Sequence, residues 1–376
     1  MKYFKLLWAI LIFIVLLTVS VSAKEDTGNF YAEQYKTSGA EDLNNNLPEE
    51  TRRYFEENGI DPSDYNWVSG ITAGNVFSHI WGFLISGAKA PLKAGAEVIA
   101  VILIAAALSA AEFKGGSVNA ALYVAAAASA GVIAVPVLSS VSAAANALKG
   151  ISTFMLSFIP VFAVITAASG AAATSASMSA LLLTAAQGVS YVSSFVITPL
   201  MGGYMAVSIS GSISPLLKKS GIAAMIKKLV FWITAFISTI FVGILGIQTA
   251  VNASADTLTA KAAKFIIGSS VPIAGGVLSE ALGTVTASMG LLKSSVGIYG
   301  AVACAAVLLP LIAELLVWRA VLFVTAAVSE LFSLNVISEI LRAADSVMSV
   351  LIGIMLIAGA MFIISLAIVV TAGKTQ

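Results

Sequence analysis

Charged residues are almost absent from the middle of this sequence. From Gly150 to Leu217 the chain runs for 68 residues without an Asp, Glu, Lys, Arg or His. A soluble domain cannot solvate such a stretch, and one buried helix needs far less of it. Crossing roughly 30 Å of hydrocarbon takes about 20 apolar residues in a helix. The stretch therefore predicts two or three membrane passes, and these should be helical because lipid offers the backbone no hydrogen-bond partner.

Cysteine and histidine occur once each, as Cys304 and His79. A single cysteine excludes an intrachain disulfide or a cysteine cluster, and His79 has no metal-ligand spacing around it. The sequence also lacks the GxxxxGK[ST], HExxH and GxSxG motifs and any pair of intramembrane aspartates. We therefore predict a protein that is not an enzyme and that has no metal, no cofactor and no nucleic-acid partner.

Apolar residues are what the sequence has in abundance. They make up 59% of the chain, against 10% charged residues, and the mean hydropathy of +0.98 is that of a protein with several membrane passes. The net charge of +1 conceals a division. Residues 24–64 hold eleven acidic and four basic residues, a net charge of −7, whereas residues 89–374 hold eight acidic and fourteen basic ones, a net charge of +6.

The beginning of the chain has the pattern of an exported protein. Lys2 and Lys5 precede an apolar core from Leu6 to Val19, and small residues at 21–23 complete a cleavage site. We interpret residues 1–23 as a cleaved signal peptide, with an uncleaved membrane anchor as the alternative. In either case the acidic segment 24–75 should lie outside the cytoplasm.

This acidic segment divides into two halves. The first offers little to bury and is predicted to be flexible. The second predicts short helices, one beginning near Glu49 and stopping at Asn58-Gly59. Its role is either a docking surface for an extracytoplasmic partner or a solvated linker.

Residues 76–376 form the predicted membrane domain. Residues 76–91 suit an interfacial helix or a short span. Further helices are predicted at about 95–113, 117–140, 151–173, 180–208, 229–251, 298–325 and 346–371, with 263–290 ambiguous. The predicted fold is an all-α polytopic transmembrane bundle of about seven spans, in which some segments are interfacial or re-entrant.

Four lysines set the predicted orientation. They form the densest basic cluster of the chain, which the positive-inside rule places in the cytoplasm: Lys218, Lys219, Lys227 and Lys228. A chain that starts outside needs an odd number of crossings before this cluster, whereas the predicted helices 95–113, 117–140, 151–173 and 180–208 make four. Either 76–91 also spans, or one helix, best 151–173, enters and leaves on the same side.

A candidate internal repeat has an offset of 111 residues. Residues 176–178 (ASM) recur at 287–289, and Pro199-Leu200 recurs as Pro310-Leu311. The repeats would cover about 141–210 and 251–325, either inverted or parallel, as in many transporters. Four prolines are the candidate helix breaks: Pro160, Pro199, Pro272 and Pro310.

Polar residues at membrane depth are the candidate functional residues, because they are costly there unless they are used. They could line a transport path or make structural hydrogen bonds. For Arg319 the structural alternative is a side chain that reaches the interface from near a helix end. The set comprises Glu280, Glu314, Arg319, Gln187 and Gln248.

Three phrases give the chain a family resemblance that extends over nearly its whole length. They are SGAKAPLKAGAEVIAVILIAAALSAAEF (86–113), SSVPIAGGVLSEALGTVTASMGLLKSSVGIYG (269–300) and LPLIAELLVWRAVLFV (309–324). With the signal, the acidic segment and the lysine-rich loop, they resemble the stage III sporulation protein AE family of endospore-forming Firmicutes.

The resemblance implies a multi-pass protein of the mother-cell membrane around the forespore, in a secretion-like complex that links the two cells. Its implied partners are the other membrane and ring-forming proteins of that complex and a cytoplasmic secretion-type ATPase. The expected role is a conduit or export-apparatus element needed for forespore development. A scaffold without a transport path is the main alternative, and an independent secondary transporter is a weaker one.

Overall fold

A computed structural model of the protein describes residues 28–63, 67–68, 73–110, 117–213, 221–270 and 275–372. All regular structure within these ranges is helical, which confirms the predicted all-α class. The predicted signal peptide 1–23, Lys218, Lys219 and Pro272 lie outside the described residues.

The helices are given in chain order. They are α1 (Gly28–Thr37), a 3-10 helix (Ala40–Asn46), α2 (Glu49–Glu57), α3 (Ala73–Ser86), α4 (Lys89–Ala110), α5 (Ser117–Ala168), α6 (Ala172–Val192), a π-helix (Ser193–Ile197), α7 (Thr198–Ile213), α8 (Gly221–Ser270), α9 (Gly275–Leu331) and α10 (Asn335–Thr371).

Six helical segments are long and apolar enough to cross a membrane. They lie in α4, α5, α6 with α7, α8, α9 and α10, and six candidate spans among the described residues are consistent with the prediction of about seven. At 1.5 Å per residue, the 52 residues of α5 extend over about 78 Å. This is more than twice the hydrocarbon thickness of about 30 Å, so the longest helices must project beyond the membrane.

The predicted helices 117–140 and 151–173 are in fact one helix. α5 continues through Lys149, Gly150 and Pro160 to Ala168, so residues 151–168 are its second half and do not form a re-entrant segment. Proline removes one intrahelical hydrogen bond, a loss that a long helix tolerates when neighbouring helices support it.

The other candidate breaks have different outcomes. α9 runs through Pro310 without interruption, so the break predicted there is also absent. Pro199 lies next to a real irregularity, since it follows the five-residue π-helix Ser193–Ile197. The hydroxyl of Ser193 in that π-helix donates to the backbone oxygen of Ala145 in α5 at 3.0 Å.

Helices that follow one another in the chain run antiparallel and surround a central one. Phe154 of α5 packs against Tyr299 of α9 with 6.5 Å between the ring centroids, and α9 turns into α10 at residues 332–334. In the most apolar 18-residue stretch of α10, 78% is buried inside the bundle, whereas the figure for α8 is 22%. α10 is therefore the centre of the bundle, and α8 presents one side to its surroundings.

The candidate repeat can be placed on these helices. The ASM phrases at 176–178 and 287–289 lie in α6 and α9. Both helices run antiparallel to α5. Ser175 bonds to Ala163 and Ser193, after the end of α6, bonds to Ala145, while Gly297 and Gly300 of α9 approach Phe162 and Phe158 in the reverse order. The two copies are therefore parallel, while duplication of the sequence itself stays a prediction.

Candidate functional site

The acidic segment is folded against the membrane helices. We call residues 28–63 with 67–68 the cap. Its first half, predicted to be flexible, forms α1 and the 3-10 helix. The apolar side chains of the cap point inward, and Ala40, Leu43 and Phe55 are almost completely buried in the same core as the bundle. Local sequence could not predict this, because the surface that covers these residues is formed by α5 and α9, far away along the chain.

Three hydrogen bonds attach the cap to one face of α9. The Ser288 hydroxyl donates to Gln34 Oε1 at 3.0 Å, and Trp67 Nε1 donates to the Ser295 hydroxyl at 3.1 Å. The Tyr299 hydroxyl donates to Asn44 Oδ1 at 3.1 Å. Positions 288, 295 and 299 share a face of a helix because they are seven and four residues apart.

Aromatic packing surrounds Tyr299. Phe55 and Trp67 of the cap meet its ring edge-on, with centroid distances of 5.3 and 6.3 Å. Burial raises the pKa of the cap residue Tyr35 far above its usual range, with a smaller contribution from nearby Asp61. Tyr35 is therefore a neutral, buried phenol at any physiological pH.

A half-open cavity of about 850 Å³ lies between the cap and the bundle. The lining comes from α2, α3, α5 and α9, and its polar members are Glu49, Glu50, Thr51, Tyr54, Ser86, Asn146 and Glu314. Pro310, a predicted helix break, contributes to the same wall. Two of the sequence-predicted residues, Glu314 and Pro310, thus meet the acidic cap in one place.

Glu314 occupies a tight place in this wall. A Cβ atom added to Gly87, in the turn between α3 and α4, would lie 3.2 Å from the Glu314 Cα atom. Glycine at 87 therefore lets the turn approach the backbone of α9. Among the described residues, the Glu314 carboxylate has no hydrogen-bond or ion-pair partner, which leaves it available to water or to a ligand.

Arg319 has a different environment from the one predicted. Its Nε donates to Asp345 Oδ1 of α10 at 2.8 Å, and both side chains are about one-third exposed. Nearby, Lys227 Nζ donates to the Ser346 hydroxyl at 3.2 Å. Arg319 is thus half of an interhelical ion pair, which sequence could not reveal because Asp345 lies on another helix.

The remaining predicted residues lie apart from the cavity. Gln187 is exposed on α6 and Lys228 is exposed on α8, while Gln248 Oε1 is buried without a partner among the described residues. Glu280 falls within α9, but its side chain lies outside the described part of the chain. His79 packs edge-on against Tyr54 at 5.4 Å, and no group of three potential metal ligands occurs in the described ranges.

Sequence reasoning missed two buried charged residues. Asp256 accepts hydrogen bonds from the backbone N–H of Ala173 at 2.8 Å and from Thr174. Its negative charge thereby caps the N-terminus of α6 from another helix. Lys293, 2% exposed, donates to the Ala372 carbonyl at the C-terminal end of α10, where a positive charge is favourable. The signal in both cases was an isolated charge in an apolar stretch.

Comparison with known proteins agrees with the resemblance. The family described as Stage III sporulation protein AE matches residues 68–373, which is most of the bundle. The protein of that name from Bacillus subtilis (strain 168) is 25% identical over 236 residues, which cover 62% of this chain and 59% of the relative. The match therefore spans somewhat more than half of that relative's length. No solved structure matches the chain. The family's description names no reaction, and by the extent of its match the chain belongs to the stage III sporulation protein AE family.

Proposed function

We propose that this protein is the integral membrane component of a sporulation complex linking mother cell and forespore, and that it lines part of an export path. The observation that carries the proposal is the cavity of about 850 Å³ that leads from the acidic cap to the unpaired Glu314. Family membership supports a role in sporulation, and six apolar helices support a membrane location.

A group of charged residues lies at one end of α8, α9 and α10 and would be near the second membrane interface. Arg319 and Tyr299, under the cap, are twenty residues apart on α9, which corresponds to about 30 Å along the axis. Lys227 and Asp345 lie at the level of Arg319. The cap reaches along α9 toward this level, because Glu49 and Glu50 line the same cavity as Glu314.

Helix count and charge then agree on an orientation. Starting from the cap, α4, α5 and the continuous α6–α7 give three crossings before Lys227. Three is odd, as the positive-inside rule requires for an extracytoplasmic cap and cytoplasmic lysines. In this orientation the predicted signal peptide would deliver the cap to the space that faces the forespore.

The cavity reaches from the cap to Glu314, in a helix that is long and apolar enough to cross a membrane. Glu314 is five residues from Arg319, about 7 Å along the helix axis. An ionised carboxylate in a membrane-crossing helix requires water or a partner. A hydrated surface that begins at the cap and reaches Glu314 is what one wall of an export path requires.

The path would run beside the chain, between it and neighbouring subunits. The described interior is filled by large side chains, including the fully buried Phe158, Tyr299, Trp318 and Phe362. Such close packing leaves no room for a solute within one bundle. The same observation favours the second candidate, a scaffold that holds the other membrane and ring-forming proteins of the complex and its cytoplasmic ATPase.

Filling the cavity separates the two candidates. Ala147 of α5 lines the cavity, and Ala127 of the same helix is exposed elsewhere. We expect Ala147→Phe to lower spore formation at least tenfold while the complex still assembles, as judged by co-purification of its partners. Ala127→Phe should leave both unchanged. Glu314→Gln should act like Ala147→Phe, with the exposed Glu97→Gln as its control.

Two results would contradict the export proposal. Normal sporulation of both the Ala147→Phe and Glu314→Gln strains would mean that the cavity carries nothing. Loss of assembly in parallel with loss of spores would instead show that this surface holds partners, which is the scaffold role.

A further inference from the structure

A second cavity, of about 320 Å³, lies among α6, α8 and α10 on the side of the bundle away from the cap. Its wall includes Leu181, Gly188, Ile237, Phe241, Ile354 and Met361, and no ionisable side chain contributes to it. It opens on the side where α8 exposes Phe236, Ile240 and Ile244. We call this cavity the apolar groove.

The hydroxyl groups in the groove do not make it polar. Thr184 donates to the Ala180 backbone oxygen at 2.8 Å, and Thr234 donates to that of Val230 at 2.9 Å. Ser238 donates to the Thr234 backbone oxygen at 2.7 Å. Each hydroxyl proton is thus satisfied within its own helix, so the groove offers a ligand mainly methyl and methylene groups.

The dimensions of the groove select its occupant. Along α8 it extends from Thr234 to Ile244, which is about 15 Å. An α-helix about 10 Å in diameter would occupy about 1,200 Å³ over this length, several times the groove's volume of about 320 Å³. A single methylene chain fits, because non-bonded carbon atoms approach to about 4 Å.

Two basic residues lie at one end of the groove. Lys227 is seven residues before Thr234, hence on the same face of α8 and about 10 Å away along the axis. Lys227 and Lys228 are exposed, and Lys227 makes no ion pair among the described residues. Its ammonium group retains donors beyond the one bonded to Ser346.

We propose that the apolar groove holds one acyl chain of an anionic phospholipid, whose phosphate pairs with Lys227 and Lys228. Within a membrane the groove and the bulk hydrocarbon are equally apolar, so burial of the chain supplies little preference. Selection would come from the lysines, because basic sites at the cytoplasmic ends of membrane helices attract anionic headgroups. The proposal is independent of the export role.

The test uses the full-length protein in non-ionic detergent and native mass spectrometry with added phosphatidylglycerol or phosphatidylcholine. A Cβ atom at Gly188 would have no neighbour within 4 Å, so Gly188→Leu fills the groove without a clash at its Cβ. Gly243 of α8 also has open space and lies outside the groove, which makes Gly243→Leu the matched control. Elution of each variant at the position of the wild type verifies its fold.

We expect the wild type and Gly243→Leu to retain one phosphatidylglycerol molecule under conditions that remove phosphatidylcholine. Gly188→Leu should lower this retention about tenfold. Lys227→Gln with Lys228→Gln should abolish the preference for phosphatidylglycerol, whereas Lys149→Gln should preserve it. Inorganic phosphate at millimolar concentration should not compete, because it lacks the acyl chain.

Three results would overturn the proposal. The first is equal retention by Gly188→Leu and Gly243→Leu, and the second is a wild type without preference for the anionic lipid. The third is a wild-type dimer that dissociates in the Gly188→Leu variant, since a second copy of the chain would then occupy the groove.

Discussion

At the scale of the residue, Tyr299 connects the two parts of the molecule. Its ring contacts Phe55 and Trp67 of the cap and Phe154 of α5, while its hydroxyl donates to Asn44. Both the apolar and the polar attachment of the cap thus meet at one side chain. Removing the hydroxyl and removing the ring should therefore have effects of different size.

We expect Tyr299→Phe to weaken cap docking by about 1 kcal/mol, the net value of one hydrogen bond. Tyr299→Ala should weaken it by about 3–5 kcal/mol, because it leaves a cavity among aromatic rings. Hydrogen exchange of the cap amides between residues 31 and 57 measures both effects. Tyr123→Phe, at an exposed tyrosine of α5, is the control. Equal exchange in the wild type and the Ala variant would show that the cap is not held there.

Single residues also show what the sequence could and could not predict about the candidate site. It predicted that Glu314, Arg319 and Gln248 are unusual, because polar groups at membrane depth are costly. It could not separate an unpaired carboxylate in a cavity from an ion-paired guanidinium, since Asp345 and the cap lie on other elements. Asp256 was missed because its partners, Ala173 and Thr174, precede it by more than 80 residues.

At the scale of the element, α5 and α9 show that a charged residue or a proline in the sequence does not reliably predict where a helix ends. Lys149, Gly150 and Pro160 divided α5 into two predicted helices, yet each is tolerated in a long helix that other helices support. Gly150 lies 3.4 Å, measured from its added Cβ, from Pro48 Cγ of the cap. The small size of Gly150 therefore allows close packing against the cap, and the helix continues through it.

Close contact between α5 and α9 gives a prediction at this scale. A Cβ atom at Gly300 of α9 would lie 2.5 Å from Cζ of Phe158, a fully buried ring that has no space to move. We expect Gly300→Ala to destabilise the bundle by about 1–3 kcal/mol through overpacking. Thermal unfolding in detergent measures the change.

The matched control is on the same helix. Gly290 has no atom within 4 Å of an added Cβ, so Gly290→Ala should be neutral or stabilising by up to about 1 kcal/mol through helix propensity. Should Gly300→Ala prove as stable as Gly290→Ala, α5 and α9 would have to be farther apart than described.

At the scale of the whole molecule, the helices return the chain to the end where the cap lies. The C-terminal end of α10 is bonded to Lys293, two residues from the Ser295 that binds Trp67 of the cap. Six candidate spans separate the cap from this end among the described residues. If all six cross, their even number places both ends on one side of a membrane. The prediction from sequence, about seven spans, left the side of the C-terminus open.

Hydropathy was sufficient to predict the fold class, because lipid leaves a buried backbone few alternatives to helix. The positive-inside rule predicts an odd number of crossings before Lys218, and the three candidate spans α4, α5 and α6 with α7 are compatible with that prediction. Four helices were predicted before Lys218 because α5, which has 52 residues, was divided into two. Membrane thickness constrains only the shortest length of a span, so hydropathy cannot say how far a helix continues beyond it.

The most direct test of this architecture is the side on which three single cysteines react, in a Cys304→Ala background. The exposed positions Glu57 in the cap, Phe332 in the α9–α10 turn and Thr371 at the end of α10 serve as the sites. We predict that, with the protein expressed in the plasma membrane of non-sporulating cells, a membrane-impermeant maleimide labels the cysteines at 57 and 371 on intact protoplasts, and the one at 332 only after permeabilisation. Labelling of 57 and 371 from opposite sides, or of 57 and 332 from the same side, would contradict the six-pass bundle.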